Sequence, residues 1–276
     1  MIKIFILLLS LGLSFVTVFF GFNVDLLPTI FLYVGFTLVY ILSFIALFFI
    51  LWGLAVFSVN KNKEHSYSKY YRFVMYLLDI SGFSIFNIKV KFSGREIVDN
   101  LNSNFILICN HQSNLDSLVS DYYLRKHKLI FIGKKSLFKI PFVGKTISGL
   151  GYLSLDRDDF RQETQVIKKA SEILNEGKVS IGIFPEGTRN KNKDNVIGEL
   201  KSGSFHLATN SHKPIVLSLI SYDKDITANV FKIRHCKYKI FKAISYDEYK
   251  DLTTKEISTL VHNLMQEEMN KLYVKK

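Results

Sequence analysis

The chain has 276 residues, 48% of them hydrophobic and 22% charged, and a formal net charge of +12; that is enough for one globular domain and something more, since a single core closes within roughly 200 residues. Its two cysteines, Cys109 in an apolar run and Cys236 in a basic one, have no partner at metal-ligand spacing, which excludes a disulfide framework and a zinc site. The positive balance asks for an anionic partner, and without zinc-finger spacing or an aromatic-basic RNA-recognition motif the expected partner is anionic membrane lipid and not nucleic acid.

Residues 1–59 hold only two charged side chains, Lys3 and Asp25, so the whole net charge sits on residues 60–276. The apolar runs 4–22 and 26–59 each reach the roughly 20 residues that a bilayer-crossing helix needs. Gly21, Asn23, Asp25 and Pro28 supply a turn between them, with Pro28 suited to the first position of the second helix. Residues 1–59 are therefore expected to form a transmembrane helical hairpin. Lys3 before it and Lys61, Lys63, Lys69 and Arg72 after it place both ends on the cytoplasmic face. A cleaved secretory signal is the alternative, but no small-x-small site precedes Asn23 and the run is long for a signal.

Residues 60–84 form the next segment. Over 66–83, Tyr67, Tyr70, Tyr71, Phe73 and Tyr76 interleave with Lys69, Arg72 and Asp79, the pattern of an amphipathic helix in the headgroup region. A helix packed on the globular core would carry the same aromatics.

From residue 85 to 276 strands alternate with helices, which predicts an α/β domain with helices packed on a mixed, largely parallel sheet. An alternating edge strand is expected at 88–92, and doubly buried central strands at 105–109 and 179–184, where the apolar runs are continuous. Further strands are expected at 129–132, 152–155, 215–220 and 238–244, and helices at 116–127, 160–175, 202–209 and 254–273. Gly177 stops the second of these helices, and Thr253 with Glu256 forms a capping-box pattern before the last.

The strand 105–109 runs into Asn110-His111-Gln112-Ser113-Asn114-Leu115-Asp116. On one helix, positions five apart point about 140° away from each other, so His111 and Asp116 can meet only if a loop intervenes. With Asp116 in the first helical turn, its carboxylate can fix the imidazole tautomer and leave the other ring nitrogen free as a base. No third member supplies a nucleophile, so the hydroxyl to be deprotonated is expected to belong to the substrate, which takes an acyl group directly from a thioester. The remaining histidines show no metal-binding spacing, and neither a metal nor a cofactor is expected.

A second island, Glu186-Gly187-Thr188-Arg189, follows the strand 179–184, at the carboxyl end where open α/β sheets bind ligands. Gly187 permits close backbone approach, Thr188 offers a hydroxyl and Arg189 can grip a phosphate in bidentate fashion. A third island ends at Arg157, and ahead of it residues 133–144 mix lysines with apolar side chains as a lipid-headgroup margin would.

Together and in order, over residues 85–222, these blocks resemble the lysophospholipid acyltransferase family, whose members include the 1-acylglycerol-3-phosphate acyltransferases. The resemblance implies that His111 and Asp116 are the catalytic pair, that Arg157 contacts the acceptor phosphate and that Glu186, Gly187, Thr188 and Arg189 bind the same acceptor. It implies transfer of a fatty acyl group from acyl-CoA or acyl carrier protein, as co-substrate, to the sn-2 hydroxyl of lysophosphatidic acid at a membrane. The family's fourth block reads Lys213-Pro214-Ile215-Val216-Leu217-Ser218, with Leu217 where a second proline is usual, and Lys201 and Gly203 match its Lys/Gly pattern only loosely. The competing readings are an acyltransferase for glycerol 3-phosphate or another lysophospholipid, a metal-dependent hydrolase, and a non-catalytic basic membrane-binding protein.

Overall fold

A computed structural model describes residues 2–22, 25–57, 68–156, 160–190, 196–223 and 232–274. It divides into two compact units, Met1–Val59 and Asn60–Lys276.

The first unit contains α1 (Ile2–Gly21) and α2 (Leu26–Phe57), with stretches long and apolar enough to cross a membrane at Ile4–Gly21 and Leu26–Leu54. Their facing sides carry hydroxyls that satisfy one another: Thr37 donates to Ser14 Oγ at 2.9 Å, Thr17 and Tyr40 share a 2.7 Å bond, and Tyr33 donates to the Leu11 carbonyl at 3.2 Å. Partnering of this kind removes the cost of a lone hydroxyl in an apolar medium. Their outward sides are large and apolar; Phe20 is 80% exposed and Phe57 81%. Pro28 is the third residue of α2 and not the first. It is still within the opening turn, where the missing N–H has no carbonyl to bond. Of the residues expected in the turn and flanking the hairpin, Asn23, Lys61 and Lys63 lie outside the described residues.

The second unit opens with α3 (Lys69–Ile85), started by Ser68, whose hydroxyl accepts from the Tyr71 N–H. Tyr71, Val74, Met75 and Leu78 are buried while Tyr70, Phe73 and Ile85 are exposed. The helix expected at the headgroups thus has an inner face packed on the α/β layer. There follow β1 (Ile88–Ser93), α4 (Arg95–Asp99), β2 (Ile106–Cys109), α5 (Asp116–Leu124), β3 (Leu129–Lys134), α6 (Val143–Gly149) and β4 (Leu153–Leu155). Then come α7 (Phe160–Asn175), β5 (Ser180–Ile183), α8 (His206–Ser211), β6 (Ile215–Tyr222), β7 (Arg234–Ile244), α9 (Tyr246–Tyr249) and α10 (Thr254–Val274).

The strands form one sheet in the order β1-β7-β6-β2-β5-β3-β4. Every pairing is parallel except β6 with β7, so the sheet is mixed and largely parallel, with β1 at its edge. β2 and β5 lie at the centre with every residue buried, which is why their sequences run apolar without alternation. Each buried Leu or Ile there contributes about 1.5–3 kcal/mol.

Crossover handedness sorts the helices. The steps β2 to β3 through α5 and β3 to β4 through α6 advance across the sheet, whereas β4 to β5 through α7 and β5 to β6 through α8 return. Right-handed crossovers in opposite directions lie on opposite faces. Accordingly α3 packs with α5 and α6, and α7 packs with α8, while α10 packs on β6 and the 3₁₀ turn Ser202–Phe205.

Three differences from the sequence reading have local causes. The final strand begins at Arg234, not 238, because Arg234 is 1% exposed and donates to the Phe86 carbonyl at 3.1 Å, which keeps a polar stretch inside the sheet. The α6 helix is hidden in a glycine-containing sequence; Gly144 sits so close that a Cβ there would fall 2.2 Å from the Phe138 carbonyl oxygen. The helix expected over 202–209 is a 3₁₀ turn followed by α8. The capping box before α10 is formed: the Thr253 N–H donates to Glu256 Oε2 at 2.8 Å and the Glu256 N–H to the Thr253 hydroxyl at 3.3 Å.

Candidate active site

At the carboxyl end of β2 the backbone leaves the sheet at Asn110. The Asn110 side chain extends the pairing with β6, accepting from the Ile220 N–H at 2.8 Å and donating to the Ile220 carbonyl at 2.9 Å. The loop that follows folds around one carboxylate. Asp116 Oδ2 accepts from the Gln112 N–H at 2.7 Å and the Ser113 N–H at 2.8 Å, and lies 2.9 Å from His111 Nδ1. Its other oxygen, Oδ1, accepts from the Tyr222 hydroxyl at 2.8 Å. Asp116 is fully buried, whereas the His111 side chain is 14% exposed. A carboxylate can only accept, so the proton belongs on Nδ1 and the lone pair of the neutral ring on Nε2.

Packing holds the imidazole as firmly as the hydrogen bond does. The ring stacks on Phe184 with centroids 4.4 Å apart, and Phe184 stacks on Phe131 at 5.4 Å. Phe131 can lie there because residue 182 is glycine; a Cβ would come within 2.3 Å of the Phe131 ring.

The second island clasps the first. Glu186 Oε1 accepts the His111 N–H at 2.9 Å, and the Asn190 N–H donates to the His111 carbonyl at 2.7 Å, so residues 186–190 hold both backbone polar groups of His111. Burial pushes the Glu186 carboxyl up to about 7, opposed mainly by the hydrogen bond from the His111 backbone. Gly187 adopts φ +68°, and what approaches it closely is the Lys201 side chain, whose Cε would lie 2.8 Å from a Cβ. The Lys201 N–H in turn donates to the Pro185 carbonyl at 2.9 Å.

Of the residues expected at the site, the structure brings His111, Asp116, Glu186 and Gly187 together. Thr188 and Arg189 are exposed on the segment that holds the His111 peptide, and the Arg189 guanidinium has no ion pair among the described residues. Arg157 lies outside the described residues. Among the described residues there is no group of three or more metal-ligating side chains.

Sequence reasoning did not find Tyr222, Asn110 or the Phe184–Phe131 stack. Tyr222 stands 106 positions from Asp116, at the end of a strand where an aromatic reads as ordinary packing. Asn110 carried a signal, an amide directly after an apolar run, which is a residue able to imitate a backbone rung.

The arrangement is an imidazole whose Nδ1 is fixed by a fully hydrogen-bonded carboxylate and whose Nε2 is left as a base, with no serine or cysteine nucleophile bonded to it among the described residues. The family profile described as Acyltransferase matches residues 89–221. A 1-acyl-sn-glycerol-3-phosphate acyltransferase from Haemophilus influenzae is 30% identical over 171 residues, 62% of this chain and 70% of the relative. One from Saccharomyces cerevisiae is 31% identical over 144 residues, 51% of this chain and 47% of its own length, so the match spans less than half of the yeast protein. The crystal structure of the 1-acyl-sn-glycerophosphate acyltransferase PlsC from Thermotoga maritima superposes with a TM-score of 0.61 at 22% identity, covering 83% of this chain and 92% of that one, which shows a shared fold. On this similarity the chain belongs to the acyltransferase family that includes the bacterial 1-acyl-sn-glycerol-3-phosphate acyltransferases.

Proposed function

We propose that the protein transfers a fatty acyl group from acyl-CoA or acyl carrier protein to the sn-2 hydroxyl of lysophosphatidic acid, giving phosphatidic acid for phospholipid synthesis. The observation that carries this reading is the 2.9 Å contact between His111 Nδ1 and the buried Asp116 carboxylate. His111 Nε2 takes the proton of the acceptor hydroxyl as its oxygen attacks the thioester carbonyl, and Asp116 stabilises the imidazolium that forms. When the tetrahedral intermediate collapses, the C–S bond breaks and the proton passes to the leaving thiolate. Arg189, with Thr188 and the Gly187 turn, receives the acceptor phosphate, and Arg157 is assigned the same partner from its motif. The names carried by the bacterial and yeast relatives support this choice of acceptor.

The hairpin of residues 1–59 acts as the membrane anchor, and the basic residues flanking it support an active domain on the cytoplasmic side. Anionic lipid headgroups are met by the outer face of α3, where Tyr70 and Phe73 are exposed beside Lys69, and by the exposed Ile140 and Phe142 beside Lys139.

The test is acyl transfer by the purified full chain in vesicles, with acyl-CoA and acyl carrier protein each offered against lysophosphatidic acid, glycerol 3-phosphate and another lysophospholipid. Phosphatidic acid should form fastest, and Arg189→Ala should raise the acceptor KM about tenfold. Faster transfer to either rival acceptor would replace the substrate assignment, and no thioester consumption at all would leave a binding protein.

A further inference from the structure

On the sheet face opposite α3, α5 and α6 lies a cavity of about 1230 Å³, bounded by α7, residues 199–206, α8 and α10. We infer that this cavity receives the phosphopantetheine arm of the acyl donor, an inference that rests on the acyl-transfer reading above and gives the donor a place in it.

The cavity reaches toward the sheet end that carries His111. It is lined by the first half of α7, which begins beyond the carboxyl end of β4, and by the segment that follows the β5 loop. Lys201 lies on both sides of the boundary: it lines the cavity, and its Cε presses on Gly187 in the loop that grips the His111 peptide. A thioester at the Lys201 end of a ligand in this cavity would therefore lie against the Gly187 turn, next in the chain to Glu186, which holds the His111 N–H.

Size and charge select the ligand class. The volume exceeds the roughly 300–1,000 Å³ of an ordinary small-molecule pocket, as an extended ligand requires. Lys168, Lys201 and Lys255 all line it, all are exposed, and their ammonium groups hold no ion pair among the described residues. Glu163 and Glu199 are the acids in the lining, so the lysines leave a positive excess. The buried Ile167 and Leu200 add apolar surface to the same lining. A pantetheine arm, apolar and amide-bearing along its length and anionic at its phosphate end, matches that combination of cationic and apolar surface. The acceptor is a lipid and approaches from the side with exposed Phe73, Ile140 and Phe142, whereas both donors are water-soluble, so opposite faces of the sheet admit them without competition.

The experiment uses the full chain in lipid nanodiscs and a non-hydrolysable acyl-CoA thioether as probe, with the double variant Lys168→Glu, Lys255→Glu and its charge-keeping counterpart Lys168→Arg, Lys255→Arg. The reversal should weaken thioether binding by about tenfold or more and raise the KM of acyl-CoA and acyl carrier protein alike. The acceptor KM should stay unchanged, as should transfer from a truncated acyl-N-acetylcysteamine donor, and the arginine variant should bind as the wild type does. No thioether binding by the wild type, unaltered binding by the reversal variant, or a raised acceptor KM would overturn the inference. So would an effect confined to acyl carrier protein, which would assign the lysines to the carrier's surface. Thioether binding that responds to the lysines, with no acyl transfer from any donor, would keep the donor cavity and overturn the proposed reaction.

Discussion

The α5 helix carries two buried carboxylates five positions apart, and their surroundings could hardly differ more. Asp116 has a donor at every turn: two backbone N–H groups, the His111 ring and the Tyr222 hydroxyl. Asp121 points about 140° away around the helix, toward α3, where it meets a second buried acid, Asp79. Its donors are Arg72, at 3.3 Å, and Tyr152, at 3.5 Å. Desolvation first, and then the neighbouring carboxylate, push Asp79 well up, and desolvation pushes Asp121 up to about 6 against the pull of Arg72. Supplied with donors, a buried carboxylate can serve a neighbouring imidazole; set against another acid, it becomes a proton-holding joint between two helices.

The largest effect that would break this comparison lies at Asp116. Loss of general-base catalysis costs about 10²–10⁴ in rate, so His111→Ala and Asp116→Asn should each lower kcat by that order, measured by initial rates on vesicles, with the protein still folded and membrane-bound.

A smaller effect sharpens it. Tyr222→Phe removes one donor of four from Asp116, and a hydrogen bond to a charged group is worth about 1.5–3 kcal/mol. The expected outcome is a kcat reduced on the order of tenfold with acceptor KM unchanged; a kcat equal to wild type would mean that the hydroxyl only fills space.

The smallest effect concerns stability and pH. Asp79, Asp121 and Glu186 are all held above their ordinary values, so the folded state binds more protons than the unfolded one. Their stabilising contribution is complete below about pH 4, near the unfolded carboxylate values. It is lost as pH rises through about 6 for Asp121 and about 7 for Glu186. Thermal unfolding followed by circular dichroism should therefore give a lower Tm at pH 8 than at pH 5. Asp121→Asn, which takes one acid out of the pair, should shrink that drop by about 2 °C or more; an unchanged drop would remove the pair from the account.

The same contrast explains what could be read from the amino-acid order. His111 and Asp116 were legible because a buried strand, a polar loop and a helix follow one another within a dozen residues, and that order alone brings positions 111 and 116 together. The central strands were legible because Ile106–Cys109 and Ser180–Ile183 are buried throughout and therefore apolar throughout. Tyr222 and the Asp79–Asp121 pair were not, since each depends on which strands and helices become neighbours, a property of the sheet order β6-β2-β5-β3 and of crossover faces. Glu186 falls between: its motif singled it out as acceptor-binding, and the structure uses one oxygen to hold the His111 peptide. Residues 66–83 read as a headgroup helix because Tyr70 and Phe73 are aromatic, yet Val74, Met75 and Leu78 anchor the inner face.

Single-turnover acyl transfer to lysophosphatidic acid, compared between Asp116→Asn and Asp121→Asn in the same vesicles, asks most directly whether the two carboxylates of α5 have separate roles. A fall of about 100-fold or more for Asp116→Asn, with Asp121→Asn near the wild-type rate at pH 7, is the predicted result. Equal losses in both, or near-normal transfer by Asp116→Asn, would contradict it.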